Sequence, residues 1–204
     1  FGGVRALSGV SFAVESGQLI GLIGPNGAGK TTLCQVVSGF LAPTRGQVRL
    51  AGEPVAGLPP YAMCRRGVAR TFQIVRPFLA FSVLDNVASA AWFSSVGRPT
   101  LADCQREATA LLRRVGLADQ AGLAPGGLSL GDKKKLELAR AMATRPRLLL
   151  LDEVMSGLAA EEMDELMALI RELRRGGTAI IMVEHVVRVV MTLAERIVVL
   201  DHGE

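Results

Sequence analysis

"LIGLIGPNGAGKTTLCQVVSGF", residues 19–40, is the stretch that decides how this chain folds. Its first five residues form an almost wholly apolar run, the pattern of a buried strand. Gly24 to Thr31 then match G-x-x-x-x-G-K-[ST], and "KTTLCQVVSGF" reads as a helix directly behind the loop. The order matters chemically. Small residues let successive backbone N–H groups turn inward onto phosphate oxygens, and the helix that follows adds its positive end. Lys30 reaches the β- and γ-phosphates of a bound nucleotide, and the Thr31 hydroxyl is a ligand for Mg²⁺. Asn26, Gly27, Ala28, Gly29, Lys30, Thr31 and Thr32 are therefore the candidate nucleotide contacts.

Outward from this loop the chain alternates. "VSFAV" (10–14) has strand periodicity, "GQVRL" (46–50) is a further short strand, and from residue 147 strands and helices succeed one another: "RLLLLD", "EEMDELMALIRELRR", "TAIIMV", "VVRVVMTLA", "RIVVL". Continuous aliphatic strands between helices predict an α/β core with a mostly parallel sheet covered on both faces. Residues 76–135 lack strand-like runs and carry helical pieces around 84–95 and 102–115, so they read as an inserted helical subdomain. Residues 1–75 and 136–204 then form the nucleotide-binding core.

"LLLLDE" ends a strand in Asp152 and Glu153, at the sheet edge where open α/β folds bind ligands. Asp152 is placed to hold the Mg²⁺ shell, and Glu153 to orient and deprotonate a water.

The bulk composition narrows the class further. The 204 residues are 50% hydrophobic and carry a net charge of +4, enough for an aliphatic core and for a phosphate-bearing partner. Three cysteines without CxxC spacing argue against a disulfide framework or zinc site. No apolar run approaches the ~18 residues of a membrane span. "KKK" at 133–135 and "RR" at 113–114 lack the aromatic interleaving of a nucleic-acid surface, so no nucleic-acid partner is expected. The chain opens on Phe1 and is expected to be trimmed at both ends.

"GGLSLGDKKKLELARAMATRP" (126–146) poses an electrostatic question. Its apolar spacing is helical, yet three lysines crowd the positive end of the helix dipole. Asp132 and a Lys133–Glu137 pair give partial relief, and the lysines are expected to lie mostly solvated on the outer face.

Taken in order, "GPNGAGKTT", "RTFQ", "LSLGDKKKLELARA", "LLLLDE" and "VEHV" resemble the ATPase subunits of ABC transporters over essentially the whole chain. "RTFQIVRPFLAFSVLDNV" and "MVEHVVRVVM" are most similar to the ATPases of branched-chain amino acid, urea or amide importers. The resemblance implies a P-loop NTPase fold of the ABC ATPase type, with an antiparallel β part beside the parallel core. ATP and Mg²⁺ would be its cofactors, and ATP hydrolysis coupled to transport its activity. Phe1 would stack on adenine, and Gln73 would contact Mg²⁺ and the lytic water. His185 would contact the γ-phosphate and help hold Glu153. Leu128, Ser129, Leu130, Gly131 and Asp132 would form the signature loop, meeting ATP held by another subunit. The implied partners are a second copy or a paralogous ATPase, two integral membrane permease subunits and, indirectly, a substrate-binding protein. The implied place of work is the cytoplasmic face of the cell membrane. "RPFLAFSVL" (76–84) is the candidate docking patch.

The chain departs from the family pattern at Leu130, Val154, Ala159 and Val186, positions that bear on cross-dimer coupling and rate. A soluble ATPase acting on DNA or ribosomes is the rival reading. It would need long coiled coils or a second ATPase head, and residues 33–125 hold no sustained heptads.

Overall fold

A computed structural model of the chain describes residues 5–94, 97 and 99–204. The first strand is β1 (Leu19–Ile23), followed by the glycine loop and α1 (Lys30–Val37). A short hairpin, β2 (Arg49–Leu50) and β3 (Glu53–Pro54), leads to α2 (Pro60–Arg65) and β4 (Val68–Arg70). Three helices come next: α3 (Val83–Ser94), α4 (Leu101–Arg114) and α5 (Leu130–Ala143). The chain returns to alternation with β5 (Leu148–Asp152), α6 (Ala160–Arg175), β6 (Ala179–Val183), α7 (Val187–Leu193) and β7 (Arg196–Val199).

The main sheet is five-stranded and parallel, ordered β4-β5-β6-β1-β7. Both faces are buried. Leu149, Leu151, Ile180 and Met182 join the core under the helices α3–α6, while Leu150, Ile181 and Val183 point to the opposite face with Leu33 and Cys34 of α1. Alternate residues of one strand thus belong to two different cores, which is why these strands read as continuous apolar runs. Helices α3, α4 and α5 pack on one another through Val83, Val87, Ala108, Leu111, Leu112, Leu136 and Ala139.

Two expected strands change, and two short elements are added. Residues 10–14 form no strand among the described residues, although Val10, Phe12 and Val14 do pack against the core; their alternation reported burial, not ladder pairing. Of "GQVRL" only Arg49–Leu50 pairs, antiparallel to Glu53–Pro54. The strand β4 and helix α2 went unread, because three residues and six residues are too short for periodicity to register. Helix α5 runs unbroken from Leu130 to Ala143.

Candidate functional site

The parallel topology gathers the ends of four strands on one edge. The glycine loop leaves β1, Gln73 follows β4, Asp152 and Glu153 close β5, and His185 follows β6. Ligands of open α/β sheets bind at this carboxyl edge.

The loop itself is held from beneath. Gly29 caps α1 with φ 102°, a conformation that only glycine adopts without strain. A side chain at Gly24 would strike the Leu200 carbonyl at 2.1 Å. Ala28 is buried and accepts a hydrogen bond from the Gly203 N–H, while Asn26 and Gly27 form the exposed tip. Lys30 lies in the loop and donates from Nζ to the carbonyls of Gly24 (2.7 Å) and Pro25 (2.9 Å). Thr31 is exposed on the first turn of α1 and Thr32 half-buried.

Glu153 is the hub. Gln73 Nε2 donates to its Oε2 at 2.7 Å, and His185 Nε2 lies 2.9 Å from Oε1. An ionised carboxylate only accepts, so in this pairing His185 donates from Nε2. Glu153 itself adopts φ 52°, the left-handed region that costs a non-glycine residue about 1–3 kcal/mol and marks functional sites.

Asp152 is buried one residue away, and Arg70 Nη2 meets its Oδ2 at 2.8 Å. Thr71 Oγ1 accepts from the Asp152 N–H. Beneath them the Cys34 thiol is pushed up to about 12, first by burial and then by the Asp152 charge.

The signature residues occupy a different surface. Leu128 is buried, whereas Ser129 and Leu130 are exposed. Ser129 caps α5 by accepting from the Asp132 N–H at 3.0 Å. Gly131 lies against Glu162, so a Cβ there would come within 2.2 Å of Glu162 Oε1. No hydrogen bond among the described residues joins this loop to residues 24–32 of the same chain. Phe1, the expected adenine contact, lies outside the described residues.

The lysine run corrects the expectation of solvated side chains. Lys134 is buried and donates to the carbonyls of Ser156 (2.6 Å) and Glu153 (3.3 Å). Lys135 pairs with Glu165 at 2.5 Å, and Lys133 reaches the Gly126 carbonyl. The Lys133–Glu137 pair does not form. Glu137 is buried instead, accepts from the Phe72 N–H at 2.8 Å, and has its carboxyl pushed up to about 7 by burial. Sequence reading passed over Arg70 and Glu184, and put Lys134 and Glu137 on the surface. A signal did exist: Gly131, Lys134, Leu138 and Ala141 share one helical stripe, which α5 buries.

The residues present suit a hard divalent cation. One hydroxyl (Thr31), one carboxylate (Asp152) and one amide oxygen (Gln73) are all oxygen donors, and Mg²⁺ takes few carboxylates together with substrate phosphates.

A phosphate loop ending one parallel strand, an acid pair ending another, and an amide and imidazole clasping the second acid define a P-loop nucleoside triphosphatase. Residues 7–156 match the family described as ABC transporter. The chain is 39% identical to the high-affinity branched-chain amino acid transport ATP-binding protein BraF of Pseudomonas aeruginosa, over 100% of this chain and 85% of that protein. Among solved structures it superimposes on the ADP conformation of an ATP-binding cassette of an ABC transporter with TM-score 0.89 and 29% identity, covering 100% of this chain and 84% of that one. The dimeric structure of a bacterial ABC transporter cassette matches with TM-score 0.89 and 25% identity, over 98% of this chain and 88% of that one. The chain belongs to the ABC transporter family, as an ATP-binding, ATP-hydrolysing subunit. These matches support the transporter ATPase over the soluble DNA- or ribosome-directed reading.

Proposed function

We propose that this chain is the ATP-hydrolysing motor of an importer for branched-chain amino acids or similar small polar solutes, working at the cytoplasmic face of the membrane. The observation that carries the hydrolytic part is Glu153, with Gln73 and His185 each hydrogen-bonded to one of its carboxylate oxygens. The solute class rests on the likeness to BraF. No helix among the described residues is long and apolar enough to cross a membrane, which fits a subunit that acts on separate permeases.

Lys30 leaves the Gly24 and Pro25 carbonyls to pair with the β- and γ-phosphates, and the backbone N–H groups of residues 26–32 cradle them. Thr31, Asp152 and Gln73 would hold Mg²⁺, which supplies charge neutralisation on the phosphoryl oxygens when bound. Glu153 orients the attacking water and takes its proton, while Gln73 and His185 fix the carboxylate. His185 would also contact the γ-phosphate. Phe1 would add an aromatic face for adenine.

Two such chains, identical or paralogous, sandwich two ATP molecules head to tail. Each signature loop (Leu128, Ser129, Leu130, Gly131, Asp132) meets the nucleotide held by the other subunit. An anion placed at the Ser129 end of α5 answers the dipole that the lysine run offends. Helices α3 and α4 with the preceding loop form the part that moves against the core and docks on two permease subunits fed by a substrate-binding protein. Phe78, Leu79 and Phe81 are exposed there, with Asn86 fastening the loop through the Phe78 N–H and the Phe78 and Ser82 carbonyls.

Glu153→Gln tests the reading. It should keep ATP binding, cut turnover by about two orders of magnitude or more, and elute as an ATP-dependent dimer in size-exclusion chromatography. Wild-type hydrolysis in that variant refutes Glu153 as the base. Uptake of labelled leucine by proteoliposomes holding the chain with its permeases tests the solute class.

A further inference from the structure

The geometry points to Lys134 and Glu184 as positioning residues that hold the segment 153–156, and with it the Glu153 carboxylate, against the helix that starts at the signature loop. Neither side chain reaches the reacting atoms. Both are buried, Lys134 at 6% and Glu184 at 3% exposure. Side chains of these types are rarely buried without a task.

Their partners are specific. Lys134 Nζ donates to the carbonyl of Glu153 at 3.3 Å and of Ser156 at 2.6 Å. Glu184 Oε1 accepts from the Met155 N–H at 2.8 Å. One cation thus grips two carbonyls of the turn, and one anion grips the amide between them. Burial lowers the Lys134 ammonium and raises the Glu184 carboxyl, and each charge counters the other's shift, with Glu137 and Glu153 also favouring the charged lysine.

The turn they grip needs holding. Glu153 sits at φ 52°; apart from Lys134, its N–H donates to the Val183 carbonyl at 2.9 Å and its carbonyl accepts from the Ser156 N–H at 3.3 Å. A left-handed non-glycine residue persists when its surroundings over-determine it. Without Lys134 the turn keeps its own Ser156 N–H to Glu153 carbonyl bond but loses its tie to α5, and a shift of the turn as a unit would carry the carboxylate out of reach of Gln73 and His185.

Lys134 also belongs to α5, five residues after Ser129 in the chain. Any shift of the signature end of α5 is therefore handed through Lys134 to the catalytic glutamate of the same chain. In the head-to-tail dimer, Ser129 and Glu153 of one chain serve different ATP molecules. The clamp accordingly couples the two sites, a consequence that rests on the dimer proposed above.

The test is steady-state ATP hydrolysis by the full chain with a fluorescent ATP analogue for affinity. Lys134→Met should lower kcat at least about tenfold, since ångström-scale misplacement of a catalytic group costs up to about a hundredfold. Affinity for the analogue should stay within about twofold, and the Hill coefficient for ATP should fall toward one. Glu184→Ala should match it in kcat. Glu184→Gln, which keeps an acceptor for the Met155 N–H, should stay within about threefold of wild type. Retention of more than half the wild-type kcat by a folded Lys134→Met overturns the positioning role. A loss of kcat with an unchanged Hill coefficient overturns the coupling. If Lys134→Met does not fold, the double variant Lys134→Met/Glu184→Gln, which removes both buried charges, decides by the same criteria. Failure of Glu153→Gln to dimerise with ATP would remove the dimer and the coupling, and leave the positioning role to the kcat of Lys134→Met.

Discussion

Arg70 and Asp152 form a buried ion pair across neighbouring strands: Nη2 and Oδ2 are 2.8 Å apart, with side chains only 8% and 9% exposed. The pair joins the last residue of β4 to the last residue of β5, so it fixes the edge from which Gln73 departs relative to the acid pair. Removing one partner leaves the other charge buried alone. Arg70→Met should therefore destabilise the fold by about 3–5 kcal/mol, read as a lower midpoint in urea denaturation. An unchanged midpoint would mean that solvent already compensates Asp152.

Cys34 lies under that pair, and burial with the Asp152 charge pushes its thiol up to about 12. The thiolate is the reactive form. Native protein at pH 8 should leave Cys34 unlabelled by iodoacetamide while the half-buried Cys64 is modified slowly, and urea should expose both. Mass spectrometry of the labelled peptides distinguishes them. Labelling of Cys34 in the native state would contradict the closed packing beneath Asp152.

Glu137 gives a pH signature. Its carboxyl titrates near 7 in the fold against 4.5 when exposed, with Arg140 and Lys134 lowering and Asp152 raising it beyond the effect of burial. The native state then binds the extra proton between those values, so this group's contribution to stability grows as pH falls from 7 toward 4.5 and is lost as pH rises through 7. The span amounts to roughly 3 kcal/mol. Glu137→Gln keeps an acceptor for the Phe72 N–H and should flatten the stability profile between pH 5 and 8. An unaltered slope would assign the dependence to other groups.

Gly131 carries two constraints. Its proposed part in the signature loop is one; the other is the Glu162 carboxylate against its Cα, which accepts from the Ala159 N–H at 2.9 Å and so caps α6 in place of the absent side-chain cap at Ala159. Gly131→Ala should push Glu162 aside and cost about 1 kcal/mol of stability through the lost cap, while lowering ATP turnover more than that loss accounts for. Thermal melting beside hydrolysis assays separates the two effects.

Much of the site was legible along the chain because its parts are local. The phosphate loop needs its glycines, lysine and threonine in one short run, and the acid pair announces itself at the end of an apolar strand. Helices longer than about ten residues declared their periodicity, so α3, α4, α5 and α6 fell close to where the spacing put them. The alternation at 10–14 was equally plain and yet formed no strand, because pairing depends on a neighbour that periodicity does not name.

The sequence by itself determined the strand–loop–helix proposed to bind phosphate, the identity of the acids and the order of the motifs, each of them a contiguous run in the chain. Only the tertiary structure decided that Gln73 and His185 take the two oxygens of Glu153, residues 80 and 32 positions away from it. It alone turned one lysine of three inward to grip the turn after that glutamate, and set Arg70 on Asp152. Those choices follow from the parallel sheet, which brings strand ends distant in sequence to one edge, and from burial, which makes an unpaired charge too costly to leave without a partner.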